Sequence, residues 1–98
     1  IFTTQLQAQD LVKIGATLPL SGALAHIGVD IRRGIDLALE DTKDAPVKFQ
    51  VIYEDNQHKT ASAVSAAKKL LEIDKVDILI SLWDMADVVA PLAEAKKA

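Results

Sequence analysis

The chain has 98 residues, half of them hydrophobic, with 11 basic and 14 acidic side chains and a net charge of −3. That length allows one small domain at most, and charges spread along the chain without a basic stripe argue against a nucleic-acid partner. Without cysteine there is neither a disulfide nor a thiolate metal site, and no stretch approaches the roughly 18 apolar residues of a membrane-spanning helix.

Residues 1–10 read differently from the rest. Leu6-Gln7-Ala8 is similar to the end of a secretory leader, with a small residue just before the cut, and a polar disordered extension fits the same residues equally well. The domain proper is expected over residues 11–98. Val12 to Leu18 is nearly all apolar, as in a central parallel strand covered on both faces. Pro19 cannot continue the ladder, and Ser21-Gly22 can turn the chain. A helix follows from about Leu24 or Gly28 to Asp41, with Ile27, Ile31, Gly34, Ile35 and Ala38 on its inner face. Gly34 there suits a close approach of helix to sheet, despite a propensity penalty of about 1 kcal/mol.

Asp44-Ala45-Pro46 forms a turn, and Val47 to Tyr53 is a second strand whose partial alternation suits a sheet edge. Glu54 to Lys59 reads as a polar connection that ends near Thr60, an expected N-cap. Ala63, Ala66, Ala67, Leu70 and Leu71 form the stripe of a second helix. Val76 to Ser81 is the third strand, and a last helix is expected from about Ala86 to Lys97. The fold class is therefore α/β, a three-layer βαβαβα arrangement on a parallel sheet, and right-handed crossovers give the strand order 2-1-3. The order reverses between the first and third strands. Their carboxyl ends, Pro19 to Gly22 and Ser81 to Asp84, should flank one crevice, the place where open α/β sheets bind ligands.

Few residues in these loops suggest chemistry. The turn Leu20-Ser21-Gly22-Ala23 could cradle an anion on backbone N–H groups or serve as a plain turn. It lacks the glycine patterns of dinucleotide and triphosphate sites, so no cofactor is expected. Glu54, Asp55 and Asp84 could gather around Mg²⁺, or be solvated carboxylates that complement helix N-termini. Receiver modules that hold Mg²⁺ also need carboxylates after the first strand, where Pro19-Leu20-Ser21 stands, so no metal is expected. Trp83, the single tryptophan, would either stack on a ligand or cap the sheet edge. His26 and His58 sit in different turns, and no nucleophile–His–carboxylate set can be assembled. The chain is not expected to be an enzyme.

A longer pattern runs through these elements: Ile14-Gly-Ala-Thr-Leu-Pro-Leu-Ser-Gly22, then Gly28, then Arg32 to Ala38, then Tyr53-Glu-Asp-Asn-Gln57. Ala61-Ser-Ala-Val64, Ala67-Lys-Lys-Leu70, Val76-Asp-Ile-Leu-Ile80 and Ala90-Pro-Leu-Ala-Glu94 complete it. In this order and spacing, residues 12–98 resemble the start of the type I periplasmic solute-binding proteins, in the leucine/isoleucine/valine-binding branch that serves ABC transporters. The resemblance implies a partial N-terminal lobe of Rossmann-like build, in a protein of two lobes that close on an amino acid or similar small solute. It places Ser21 at the ligand-facing position of the first loop, and Ile27 where the family often has an aromatic packed on the ligand. After the third strand the family usually has small hydroxyl residues that hold a ligand carboxylate. Here Leu82-Trp83-Asp84-Met85-Ala86 stands instead, about two residues shorter, and Asp84 would repel an α-carboxylate unless it meets the ligand's ammonium.

Ser21, Ile27, Trp83, Asp84 and Met85 are accordingly the candidate ligand-binding residues. The implied partners are a small solute and the membrane subunits of an ABC transporter, in a periplasmic or extracytoplasmic location. An exposed edge at the third strand could also self-associate. A ligand-sensing domain of a receptor or regulator, or a flavodoxin-like interaction module, would use the same elements. Because the cleft needs both lobes, residues 1–98 alone should bind solute weakly or not at all; calorimetry giving micromolar affinity for one amino acid would contradict this.

Overall fold

The structure, a computed structural model, describes residues 11–81 together with Ala93, Lys96 and Lys97. Strand β1 (Leu11–Leu18), helix α1 (Ala25–Asp41), β2 (Lys48–Asp55), α2 (Thr60–Lys68) and β3 (Ile78–Ser81) follow in order, and α2 runs on into a π-helical turn, Lys69–Ile73. All pairing is parallel and the strand order is β2-β1-β3, as right-handed crossovers require. The expected extension at residues 1–10 lies outside the described residues, as does the last helix apart from Ala93, Lys96 and Lys97.

Successive β1 side chains alternate between the faces of the sheet. Gly15 faces α2, and a Cβ there would stand 3.1 Å from both Leu70 methyls and from Val76 Cγ1. The missing side chain lets α2 settle onto β1, and the stripe read from the sequence forms the core. Ala63, Ala67 and Leu70 are fully buried, with Ala66 beside them. At roughly 0.8 kcal/mol per buried methylene, this small-residue face gains its stability from closeness rather than bulk.

The other face is looser. Ile27, Ile31 and Ile35 of α1 are half-buried, while Gly34 and Ala38 are exposed. Ile35, Ala38, Leu39 and Thr42 stand over Ile14, Phe49, Val51 and Ile80 across an apolar cleft of about 260 Å³. Two contacts hold α1 in place. Gly28 lies so close to β1's end that a Cβ would come 1.9 Å from the Pro19 carbonyl oxygen. Farther along, the Tyr53 hydroxyl of β2 donates to Asp36 Oδ1 at 2.6 Å, and the Arg32 guanidinium lies 4.2 Å from the centre of the Tyr53 ring. Burial first, then the Asp36 bond, pushes the Tyr53 phenol well above its ordinary pKa, so it remains a neutral donor. The close approach expected at Gly34 is therefore made by Gly28 on this face, since nothing lies within 4 Å of a Cβ at Gly34.

Three boundaries differ from the sequence reading, each for a hydrogen-bonding reason. β2 continues through Glu54 and Asp55, which pair in register with Thr17 and Leu18. β3 starts at Ile78, because the Val76 amide donates to Leu70 O at 3.1 Å and Lys13 N donates to the Asp77 side chain at 2.9 Å. Thr60 is the first residue of α2 rather than its cap; Lys59 holds the N-cap position and makes no side-chain capping bond.

The two α1 glycines should respond oppositely to alanine. Gly28→Ala, which must push the Pro19 carbonyl aside, is expected to destabilise by about 1–3 kcal/mol. Gly34→Ala, in an open helix interior, should stabilise by up to about 1 kcal/mol. Urea unfolding of both variants checks the pair, and a neutral Gly28→Ala would contradict the packing described.

Candidate functional site

β1 and β3 end at the same edge of the sheet. Thr17 and Ser81 are register partners there, and Thr17 Oγ1 donates to Ser81 Oγ at 3.0 Å. The loops that leave these strands therefore start side by side where the strand order reverses, the position at which α/β sheets bind ligands.

The loop after β1 is built from short-range necessities. Pro19 is buried and ends the ladder. Ser21, Gly22 and Ala23 are exposed, and Gly22 takes a φ of +84°, a left-handed conformation open to glycine at no steric cost. Leu24 is the N-cap of α1 and makes no side-chain capping bond. Ile27 follows in the first turn of α1, half-buried.

One carboxylate organises this loop. Asp55, at the end of the neighbouring edge strand, accepts the Leu20 amide at 2.9 Å and the Ser21 amide at 3.3 Å on Oδ1, which also accepts the Gln57 amide at 2.9 Å. Its Oδ2 accepts the Ser21 hydroxyl. Two of the turn amides that might have held an external anion, those of Leu20 and Ser21, thus already hold an internal one. Burial alone would raise the Asp55 pKa; the Ser21 hydroxyl and the amides of Gln57, Leu20 and Ser21 outweigh it and hold the carboxyl below the ordinary value of 3.8.

The residues after Asp55 complete the support. Asn56 is fully buried. Its backbone N–H donates to Leu18 O at 2.9 Å, and its Oδ1 accepts the His58 backbone N–H at 2.9 Å. With these bonds in place, Gln57 and His58 both adopt left-handed conformations, at φ 53° and 56°, which non-glycine residues take only when their surroundings over-determine them. Glu54 and Asp55, adjacent in sequence, turn to opposite faces. Glu54 pairs with Lys69 at 2.9 Å, and Lys69 also reaches Asp74 at 2.7 Å. Neither carboxylate is a freely solvated loop group, the alternative weighed from the sequence. A groove of about 440 Å³ lined by Glu54, Asp55, Gln57, Ser65 and Lys69 lies between the end of β2 and α2.

Of the candidate ligand-binding residues, Ser21 stands on the β1 loop and Ile27 in the first turn of α1. Trp83, Asp84 and Met85 lie outside the described residues. Sequence reasoning missed Asp55 as the partner of Ser21. The available signal was its register: an edge strand ending opposite Leu18 puts its last side chain beside the β1 turn.

Because Asp55 has a depressed folded pKa, its contribution to stability is complete above the unfolded carboxylate value and is lost as pH falls through the folded one. Asp55→Asn should cost about 1–3 kcal/mol at neutral pH and flatten the loss of stability below about pH 4. Urea unfolding across the acid range measures both; an acid limb as steep in the variant as in the parent would contradict the assignment.

The chain also matches known proteins. Residues 11–98 match the family model described as periplasmic binding protein. No curated protein matches. Among solved structures, the branched-chain amino acid transporter substrate-binding protein LivJ of Streptococcus pneumoniae, in complex with isoleucine, is 28% identical, with a TM-score of 0.82 over 89% of this chain and 26% of that one. A solute-binding protein of an ABC transporter from Rhodopseudomonas palustris, in complex with 3,4-dihydroxybenzoic acid, is 26% identical, with a TM-score of 0.83 over 91% of this chain and 25% of that one. The leucine-binding protein LivK of Thermotoga maritima, 23% identical, shares the fold, with a TM-score of 0.76 over 88% of this chain and 25% of that one. The chain thus spans about a quarter of the length of the solved structures it matches. Parallel β2-β1-β3 order, a supported β1 loop at the switch point and the match over residues 11–98 agree: the chain belongs to the periplasmic binding protein family.

Proposed function

We propose that this chain forms part of the first lobe of an extracytoplasmic solute-binding protein that delivers an amino acid or a similar small solute to an ABC transporter. The observation that carries the reading is the β1 loop: Ser21 exposed and Ile27 half-buried, beside the β1–β3 crevice, on a backbone braced by Asp55. Ile27 offers the solute an apolar surface and Ser21 an oxygen. Trp83, Asp84 and Met85, in the segment after β3, would form the adjoining wall. A second lobe closing over the solute would exclude water and strengthen these polar contacts. The function is binding and not catalysis; no residue is assigned a catalytic role, and no cofactor or metal is invoked. Isoleucine and 3,4-dihydroxybenzoate, the ligands of two related structures, support a small organic solute.

Titration of the intact protein with both compounds and with the common amino acids, followed by calorimetry, tests this reading. Micromolar binding of one of them is expected. Removing the Ile27 side chain in Ile27→Ala should weaken that affinity by about tenfold or more, the scale of losing buried apolar contact. Failure of every solute to bind, or an unchanged affinity in Ile27→Ala, would contradict it.

A further inference from the structure

The β1 loop carries information about the chemistry of the solute, an inference that rests on the solute-binding reading. We propose that Asp55 makes the β1 wall of the cleft anion-excluding, so that the solute turns a hydrogen-bond donor or an apolar group toward Ser21 and Ile27, and never a carboxylate.

Three observations converge on this. The Leu20 and Ser21 amides, two of the donors this turn could offer a carboxylate, are already taken by Asp55 Oδ1. The Ser21 hydroxyl has a single proton, and that proton goes to Asp55 Oδ2. The oxygen is left with lone pairs alone, so toward a solute it can only accept. The Asp55 charge lies one hydroxyl beyond the Ser21 oxygen, so a second carboxylate at that oxygen would meet a like charge close by. The N-terminus of α1, uncapped at Leu24, acts in the opposite sense. It amounts to about half an elementary charge, against a full one on Asp55. Ile27, the other candidate residue here, adds an apolar surface and no donor side chain, while its neighbour His26 is exposed. The groups this wall suits are an ammonium, an amide N–H, or an aliphatic chain.

Two arms test the proposal in the intact protein. In the first, Asp55→Ala vacates a carboxylate-sized place, and acetate should raise the melting temperature of that variant by about 2 °C or more. Acetate should leave the parent unchanged, and acetamide should move neither. In the second, matched pairs are titrated by calorimetry: glutamine with glutamate, and asparagine with aspartate. Each amide should bind about tenfold or more tightly than its acid, and the isosteric Asp55→Asn, which serves if Asp55→Ala does not fold, should bring that ratio to within about threefold. Equal affinity for acid and amide in the parent, an unchanged ratio in Asp55→Asn, or stabilisation of the parent by acetate would each overturn the proposal. If isoleucine binds while acid and amide bind alike, only this inference falls. If neither isoleucine, 3,4-dihydroxybenzoate nor any member of the pairs binds, the solute-binding reading falls, and this inference with it.

Discussion

A carboxylate at the end of an edge strand holds the loop after β1 in place. Asp55 pairs in register with Leu18 and reaches across to the turn that follows it, where it accepts bonds from Leu20, Ser21 and Gln57. Without it, the Leu20 and Ser21 amides would lose their partner, a loss of the order of 1–3 kcal/mol for a buried group and smaller for the exposed Ser21 amide. The consequences run along the chain. The braced turn sets the Pro19 carbonyl, against which Gly28 packs with no room for a side chain. That contact fixes where α1 begins and therefore where Ile27 stands. A single interaction thus connects the sheet edge, the loop and the first turn of the helix.

The two faces of the sheet divide the labour between rigidity and openness. On the α2 face, alanines and Leu70 lie against Gly15 with no slack, and Glu54, Lys69 and Asp74 pin the π-helical turn that leads to β3. On the α1 face, the helix meets the sheet at Gly28 and around Tyr53, and the apolar cleft between Ile35 and Phe49 underlies its C-terminal half. Phe49 and Ile78 remain 41% and 49% exposed there. The β1 loop is consequently anchored by hydrogen bonds and by one tight backbone contact, more than by hydrophobic packing. Polar anchoring of this kind sets position sharply, because hydrogen bonds are directional where apolar contact is not.

Much of the architecture was legible in the sequence. The apolar run Val12 to Leu18, the alanine stripe of α2 and the turn at Pro19 each reflect a local period or a local backbone restriction, and the crossover rule converts their order into the sheet order. Long-range partnerships were hidden. Gly34 and Gly28 both lie in the amphipathic stretch, and periodicity cannot tell which of them meets the backbone of another segment. Glu54-Asp55 looks like a polar connection because its partners, Lys69 on one side and Ser21 on the other, lie 15 and 34 residues away. The role of Ser21 was correspondingly half visible: its place in the loop follows from local turn chemistry, but the fate of its proton depends on a strand that comes later in the chain.

The most direct measurement of the Asp55 clasp is an NMR titration of backbone amide protons between about pH 2 and pH 6. The resonances of Leu20, Ser21 and Gln57 should move together, with one shared midpoint below the ordinary aspartate value, because one carboxylate accepts all three. Three independent midpoints, or no movement of Leu20 and Ser21 while Gln57 shifts, would show that the carboxylate does not hold the turn.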